Sequence, residues 1–288
     1  MELDQMFEFI TRIFRRKDNQ GIAVDATAAH SPGQQPEVTV ATCPHPVSTP
    51  EKRDIKRQPA PAWLDAWPRR LLVIDCETTG IHSRDRPITF GAISLDRDNI
   101  QISDDGKSTN LQFGICHLIF DPGVKSHPEA EVIHGFDDWT VRHQQSFHEV
   151  SAEIIELMES ADVIAGDNVK FDIEFLGRAF SDCGLVIPER LTICTMGEYR
   201  CRGFSKSARL DVALQHAGLS REGRKHGAAE DAWLALQLLF WLRTPIRPSP
   251  PTAAICEPPT NFRQPPERPA GPLPRRKARR RKTKEAGS

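Results

Sequence analysis

Two acidic residues at the end of a short apolar run are the first candidates for chemistry in this sequence. The four aliphatic residues at 71–74 predict a buried β-strand, and Asp75 and Glu77 follow it before a Thr-Thr-Gly turn. Residues two apart on a strand project from the same face, so the two carboxylates lie side by side. A bound divalent cation would relieve their repulsion, and oxygen ligands favour Mg²⁺ or Mn²⁺. The alternative is a solvated strand end, because Asp-x-Glu recurs at Asp172 on a predicted helix.

A second acidic site follows another short strand, predicted at 162–165. Asp167 or Asn168 can cap the helix that starts there, and Asp172 comes four residues after Asn168. Positions i and i+4 share a helix face, so Asn168 and Asp172 lie together near the start of this helix. The alternative is an ordinary capped helix, which explains Asn168 but gives Asp172 no role.

The third pair of candidates is His226 and Asp231. On a continuous helix, residues five apart point about 140° away from each other. On one continuous helix they could therefore hardly serve the same site. Gly223 and Gly227 predict instead that His226 lies in a loop, with Asp231 in the first turn of the apolar helix predicted at 228–242. By itself, a single histidine is more often a surface residue and indicates no function.

Together, the three motifs resemble those of the DEDDh 3′→5′ exonucleases, the DnaQ-like or RNase T group that includes the DNA polymerase III epsilon-type exonuclease domain. The segment 133–136 resembles a family segment near the substrate, and 194–196 resembles one that opens a later helix. The family often has His before the Asn of its second motif, where this chain has Asp167. The matching residues are Asp75, Glu77, Thr78, Thr79 and Gly80 in the first motif, Asn168, Phe171 and Asp172 in the second, and His226 and Asp231 in the third.

The resemblance covers residues 68–243, which we interpret as one exonuclease domain. It implies an α/β fold, namely a ribonuclease H-like five-stranded mixed sheet flanked by helices. The apolar pattern alone predicts four of these strands, and 191–195 is the candidate for the fifth. The four are predicted at 70–75, 87–96, 110–120 and 162–165.

The resemblance also implies a mechanism with two cations, Mg²⁺ or Mn²⁺, that releases 5′-mononucleotides. Asp75, Glu77 and Asp231 would hold the first cation, and Asp75 would also hold the second. Asp172 would support the pair directly or through water, and His226 is the expected general base. The residues expected to bind the substrate are Thr78, Thr79, His134, Asn168 and Phe171.

Three alternatives concern the substrate and the partners. A non-catalytic nucleic-acid-binding module of the same fold would be expected to lack one of the acidic ligands, and none is missing. The chain could also be the proofreading subunit of a DNA polymerase or part of a repair complex. Single-stranded DNA is the favoured substrate, with RNA trimming as the alternative, because discrimination of the 2′-OH depends on contacts that the sequence does not place.

Both flanks of the domain differ from it in composition. Residues 1–60 predict a mostly disordered extension with a short helix at 3–16, and 244–288 predict a disordered proline-rich linker followed by a basic tail. Eleven of the 23 prolines lie within 243–274. Residues 275–288 hold eight basic residues and one acid, a charge of +7, so the rest of a chain with net charge −1 carries −8. The tail at 275–284 is therefore a candidate for nucleic-acid binding.

The cysteine pattern and hydropathy bear on the compartment. Seven cysteines show no Cys-x-x-Cys pair, which favours incidental thiols in a reducing cytosol. No apolar run approaches the roughly 20 residues that a membrane span needs. We therefore expect a cytoplasmic protein.

Overall fold

A single mixed sheet carries the fold. The computed structural model describes residues 61–221 and 225–276. The predicted N-terminal extension with its helix at 3–16 lies outside these residues, as does most of the basic tail. The strands are β1 (Arg70–Asp75), β2 (Thr89–Ile102), β3 (Thr109–Ile119), β4 (Val163–Gly166) and β5 (Leu191–Cys194). The helices are α1 (Ala62–Asp65), α2 (Pro128–His134), α3 (Asp138–Val141), α4 (Phe147–Ser160), α5 (Val169–Asp182), α6 (Thr195–Arg202), α7 (Leu210–Ala217) and α8 (Ala228–Arg243).

The strand order is β3-β2-β1-β4-β5. β2 pairs antiparallel with both β1 and β3, whereas β4 pairs parallel with both β1 and β5. This arrangement is the five-stranded mixed sheet of the ribonuclease H-like fold, and it confirms the predicted fold class. The fifth strand lies where the sequence placed it, at Leu191–Cys194.

Alternation along β1 divides the core into two layers. Leu71 and Val73 contribute to a cluster with the apolar residues of α8, while Leu72 and Ile74 contribute to a cluster with α4 and α5. Successive strand residues face opposite sides of a sheet, so one short strand supplies both clusters. Asp75 is next on the face of Leu71 and Val73, which is the face covered by α8.

The chain after Arg243 corrects one prediction. Residues 244–276, here called the C-terminal strap, pack against the domain instead of forming a disordered linker. Ile246 and Ile255 are fully buried in the α8 cluster. The Asn261 side chain accepts from the Ile119 N–H and donates to its carbonyl, both at 2.8 Å, so it pairs with the open edge of β3. Proline disrupts helices and central strands but does not prevent such side-chain contacts. Abundant proline alone was therefore not enough to make this segment disordered.

The end of the strap crosses α3 and the residues beside it. Gln144 makes two hydrogen bonds of 2.8 Å with the backbone of Arg263, and the Trp139 indole N–H donates to the Pro266 carbonyl at 2.8 Å. Arg276 donates to Asp138 at 2.7 Å and to Asp121 at 2.5 Å. The basic tail therefore begins from a fixed point beside α3.

Candidate active site

The first acidic pair lies where β1 ends next to β2. The Glu77 N–H contacts the Thr89 hydroxyl at 3.3 Å, and its carbonyl accepts from the Ile88 N–H at 2.7 Å. Burial raises the pKa of Asp75 well above its ordinary value, and the charges of Asp172, Asp231, Glu77 and Asp167 raise it further. The structure thus brings the four predicted acids together and adds Asp167.

A glycine opposite Asp75 allows α8 to approach the sheet. In the β1–β2 ladder, Asp75 pairs with Gly91. A Cβ atom on Gly91 would lie 2.1 Å from the Ala228 carbonyl carbon and 2.3 Å from the Ala229 nitrogen, both in the first turn of α8. Because Gly91 has no side chain, this turn can press on β2 and hold Asp231 beside the end of β1.

His226 lies in a loop and Asp231 in the first turn of α8, as the sequence predicted. His226 lies just before α8, and its Nδ1 is 3.5 Å from Asp231 Oδ2 in the first helical turn. The His226 N–H donates to the Ile133 carbonyl at 3.0 Å, and Lys225 Nζ donates to the Val132 carbonyl at 2.7 Å. These two bonds fix the position of His226 relative to α2.

Asp172 is held against the end of β1 by the backbone. Its Oδ1 accepts from the Cys76 N–H at 3.0 Å, and the residue is 3% exposed. A Cβ on Gly166 would lie 2.6 Å from the Ile74 carbonyl oxygen, so a second glycine permits the close approach that brings α5 to β1.

The predicted cap of α5 is wrong. Asn168 occupies the N-cap position with φ 58°, in the left-handed region, and its side chain makes no capping bond. A capping residue has an extended backbone, which this conformation excludes. The Asp167 carboxylate instead accepts from the Thr195 hydroxyl at 2.9 Å, and its charge raises the pKa of Asp75 and Asp172 in the acidic cluster.

Burial raises the pKa of several of these acids. It raises the pKa of Glu77 to about 8, with a further rise from Asp231 and an opposing effect of Arg221. Burial also raises the pKa of Asp167 to about 6 and that of Asp172 well above its ordinary value. Carboxylates so crowded and desolvated suit a divalent cation, which would let them ionise. Ligand atoms of Glu77, His226 and Asp231 lie within 4.8 Å of one another, a span that fits one cation.

The predicted substrate-binding residues lie in different environments. The Thr78 hydroxyl donates to the Gly80 carbonyl at 2.7 Å, and the fully buried Thr79 hydroxyl donates to Asp85 at 3.2 Å, so both close the turn after β1. The buried His134 Nε2 has no hydrogen-bond partner within the described ranges. Asn168 is exposed, and the partly buried Phe171 packs on Phe175 with ring centroids 4.4 Å apart.

Arg221 is a residue at this site that the sequence did not reveal. Its Nε donates to Asp231 Oδ1 at 2.6 Å and a terminal nitrogen donates to Oδ2 at 2.9 Å. In the sequence it is one basic residue in a loop that also contains Arg224 and Lys225. No motif separates it from an ordinary solvated charge.

The comparisons with known proteins agree with the geometry. The RNase T family model, described as an exonuclease, matches residues 72–239. The chain belongs to this exonuclease family. The predicted resemblance is therefore confirmed, and the protein is a nuclease of the DnaQ-like group. No curated protein sequence gives a significant match.

Solved structures of exonuclease I align with this family member at low identity. A zinc-bound complex of the E. coli enzyme with single-stranded DNA gives a TM-score of 0.48 and 18% identity, covering 62% of this chain and 40% of that one. A second exonuclease I structure gives 0.49 and 20%, covering 61% and 41%. The RNase T-type chain thus spans about two fifths of those proteins. Within the described residues, none of its helices has the length and apolar character of a membrane span.

Proposed function

We propose that this protein is a metal-dependent 3′→5′ exonuclease that acts on single-stranded ends, with DNA as the first substrate. The observation that supports this most is the meeting of Asp75, Glu77, Asp172 and Asp231 beside His226 at the end of β1. All five match the family's motifs, although they come from separate parts of the chain: the end of β1 and the turn after it, the first turn of α5, and α8 with the loop before it. RNA trimming by the same site is the alternative.

The acids would divide the metal ligation between them. Asp75, Glu77 and Asp231 would hold one Mg²⁺ or Mn²⁺ ion, and Asp75 would also hold a second. Asp172, oriented by the Cys76 N–H at 3.0 Å, would support the pair directly or through water. Such ions supply a hydroxide at neutral pH and neutralise charge on the phosphate.

His226 would act as the general base. Burial lowers the pKa of this ring, Asp231 raises it and Arg221 lowers it again, for a net decrease. A neutral imidazole at physiological pH can accept a proton from the attacking water. The backbone N–H of His226 donates to the Ile133 carbonyl at 3.0 Å, which anchors the residue beside the cluster.

The nucleic-acid strand would contact residues around this cluster. His134 lies next to Ile133 and offers a buried Nε2 without a partner among the described residues. The exposed Asn168 and the Phe171 ring lie at the start of α5, and Thr78 is close to Glu77. The basic tail at 275–284 would add phosphate contacts that carry no sequence preference.

Cytoplasmic location and membership of a polymerase or repair complex stay predictions. The buried Cys76 and Cys116 suit a reducing compartment.

The test uses the full-length protein with labelled single-stranded DNA and RNA of one sequence. Mg²⁺ or Mn²⁺ should support digestion, EDTA should stop it, and Asp75→Asn and Asp172→Asn should each abolish it. Glu174→Gln is the matched control. Glu174 is an acid on the same helix as Asp172 and only two residues away, but its side chain is exposed. Digestion that persists in EDTA or in either Asp variant would overturn the proposal, and the preferred strand shows which nucleic acid is the substrate.

A further inference from the structure

Arg221 places a positive charge inside the acidic cluster. It lies in the loop between α7 and α8, and its side chain is only 10% exposed. Two of its nitrogens contact the two oxygens of Asp231, at 2.6 and 2.9 Å. Paired contacts of this kind are among the strongest that arginine makes with a carboxylate. Both oxygens of a proposed metal ligand are therefore engaged by the protein itself.

The charge of Arg221 acts beyond Asp231. Burial and Asp231 raise the pKa of Glu77, and Arg221 opposes that rise. Burial raises the pKa of Asp167, and the hydrogen bond from Thr195 lowers it. The charge of Asp231 raises this pKa further, whereas the charge of Arg221 lowers it. The guanidinium thus supplies part of the positive charge that this group of acids needs.

A divalent cation and Arg221 compete for the same carboxylate. In the proposed ligation Asp231 holds a cation together with Asp75 and Glu77, so that cation shares Asp231 with the guanidinium. Like charges at about 4 Å repel even in water, and more strongly where solvent is excluded. Cation binding therefore favours a state in which Arg221 has left Asp231.

Asp211 offers Arg221 a partner outside the cluster. The remaining terminal nitrogen of Arg221 donates to Asp211, which lies in the first turn of α7 and is 66% exposed. Since this contact uses a different nitrogen from the two on Asp231, Arg221 can keep it while Asp231 is released. The displaced charge would not be left buried without a partner.

We propose that Arg221 is a resident counter-cation of the metal site, which a divalent cation must displace from Asp231 in order to bind. The inference rests on the proposed metal-dependent function and adds a residue that sets how much metal the site requires. Arg221 acts through Asp231 and is in that sense a positioning residue.

The test is a titration with Mn²⁺ in the absence of nucleic acid. Binding is measured by calorimetry or by the electron paramagnetic resonance signal of free Mn²⁺. Full-length Arg221→Gln should bind Mn²⁺ at least about tenfold more tightly than the wild type, because one positive charge is gone. Arg221→Lys should fall between them, since lysine keeps the charge but cannot make the planar paired contact. In EDTA, Arg221→Gln should melt at a lower temperature than the wild type, and Mn²⁺ should raise its melting temperature by more.

Arg209→Gln is the matched control. Arg209 is exposed at the start of α7, and its substitution removes an equal charge from the same part of the chain. The Mn²⁺ affinity of this variant should therefore stay within about twofold of the wild type. Unchanged or weaker binding by Arg221→Gln would overturn the inference, since Arg221 would then support Asp231 as a ligand. If neither the wild type nor Arg221→Gln bound Mn²⁺, the proposed function would be overturned as well, which separates the two failures.

Discussion

Replacing Glu77 by glutamine should stabilise the metal-free protein, by an amount that grows with pH. Burial raises the pKa of Glu77 from 4.5 to about 8, so between these values the folded state keeps a proton that the unfolded state has lost. The unfolding free energy of the wild type therefore falls as pH rises through this window. Glutamine is close in shape and cannot ionise, so the variant lacks that loss.

The size of the effect follows from the two pKa values. Linkage gives the variant an advantage of roughly 1 kcal/mol at pH 5, about 3 kcal/mol at pH 7 and about 4–5 kcal/mol at pH 8.5. For a domain of this size, the value at pH 7 corresponds to a melting temperature higher by on the order of 6–12 °C.

The assay is urea unfolding in EDTA at pH 5, 7 and 8.5, with the full-length protein. Glu174→Gln, which changes an exposed glutamate on α5, should track the wild type at every pH. Adding Mn²⁺ at pH 7 should stabilise the wild type more than Glu77→Gln, because the variant has lost a ligand. A difference between Glu77→Gln and the wild type that does not change with pH, or a variant that is less stable at pH 8.5, would refute the reasoning.

Three further predictions concern the elements around the cluster. Gly91→Ala should cost about 1–3 kcal/mol in urea unfolding and weaken Mn²⁺ binding, because its Cβ would meet the α8 backbone. Gly177→Ala, inside α5 and with Ile187 3.8 Å from the added Cβ, should keep Mn²⁺ binding and should not lower stability. His226→Gln should slow digestion by about 10²–10⁴-fold with Mn²⁺ affinity retained, and lost affinity would make His226 a ligand. Truncation after Arg276 should weaken binding of long strands and flatten its salt dependence while stability is kept, whereas truncation after Arg243 should also cost about 3–6 kcal/mol by removing the buried Ile246 and Ile255. Equal binding and equal salt dependence after the shorter truncation would leave the tail without a role.

The sequence predicted the features that depend on local patterns. The apolar runs located β1 and β4, and the paired acids marked the end of β1. Gly223 and Gly227 correctly placed His226 in a loop and Asp231 in the first turn of α8. These features follow from neighbours in the chain, which a single sequence records.

What the sequence missed depends on contacts between distant segments. Gly91 matters because α8 arrives from 137 residues later in the chain and presses on its backbone. The role of Arg221 depends on its contact with Asp231, and its residue type alone resembles a solvated charge. Asn168 has the residue type of a helix cap, but its left-handed backbone excludes that geometry.

The C-terminal strap was missed for a related reason. Its prolines correctly predicted that it forms neither helix nor strand. Its order comes instead from Asn261 on the edge of β3 and from Ile246 and Ile255 in the core. Composition describes the strap alone, whereas its order comes from the surface that it covers.

The most direct test of the central claim is a time course with single-stranded DNA labelled at its 5′ end, in Mg²⁺ and in EDTA. We expect a ladder of labelled fragments that shorten one nucleotide at a time from the 3′ end in Mg²⁺, no digestion in EDTA, and no ladder with Asp75→Asn. Release of the label as the first product would show the opposite direction, and internal fragments would show an endonuclease. Either result, or a ladder that forms equally well in EDTA, would contradict the account.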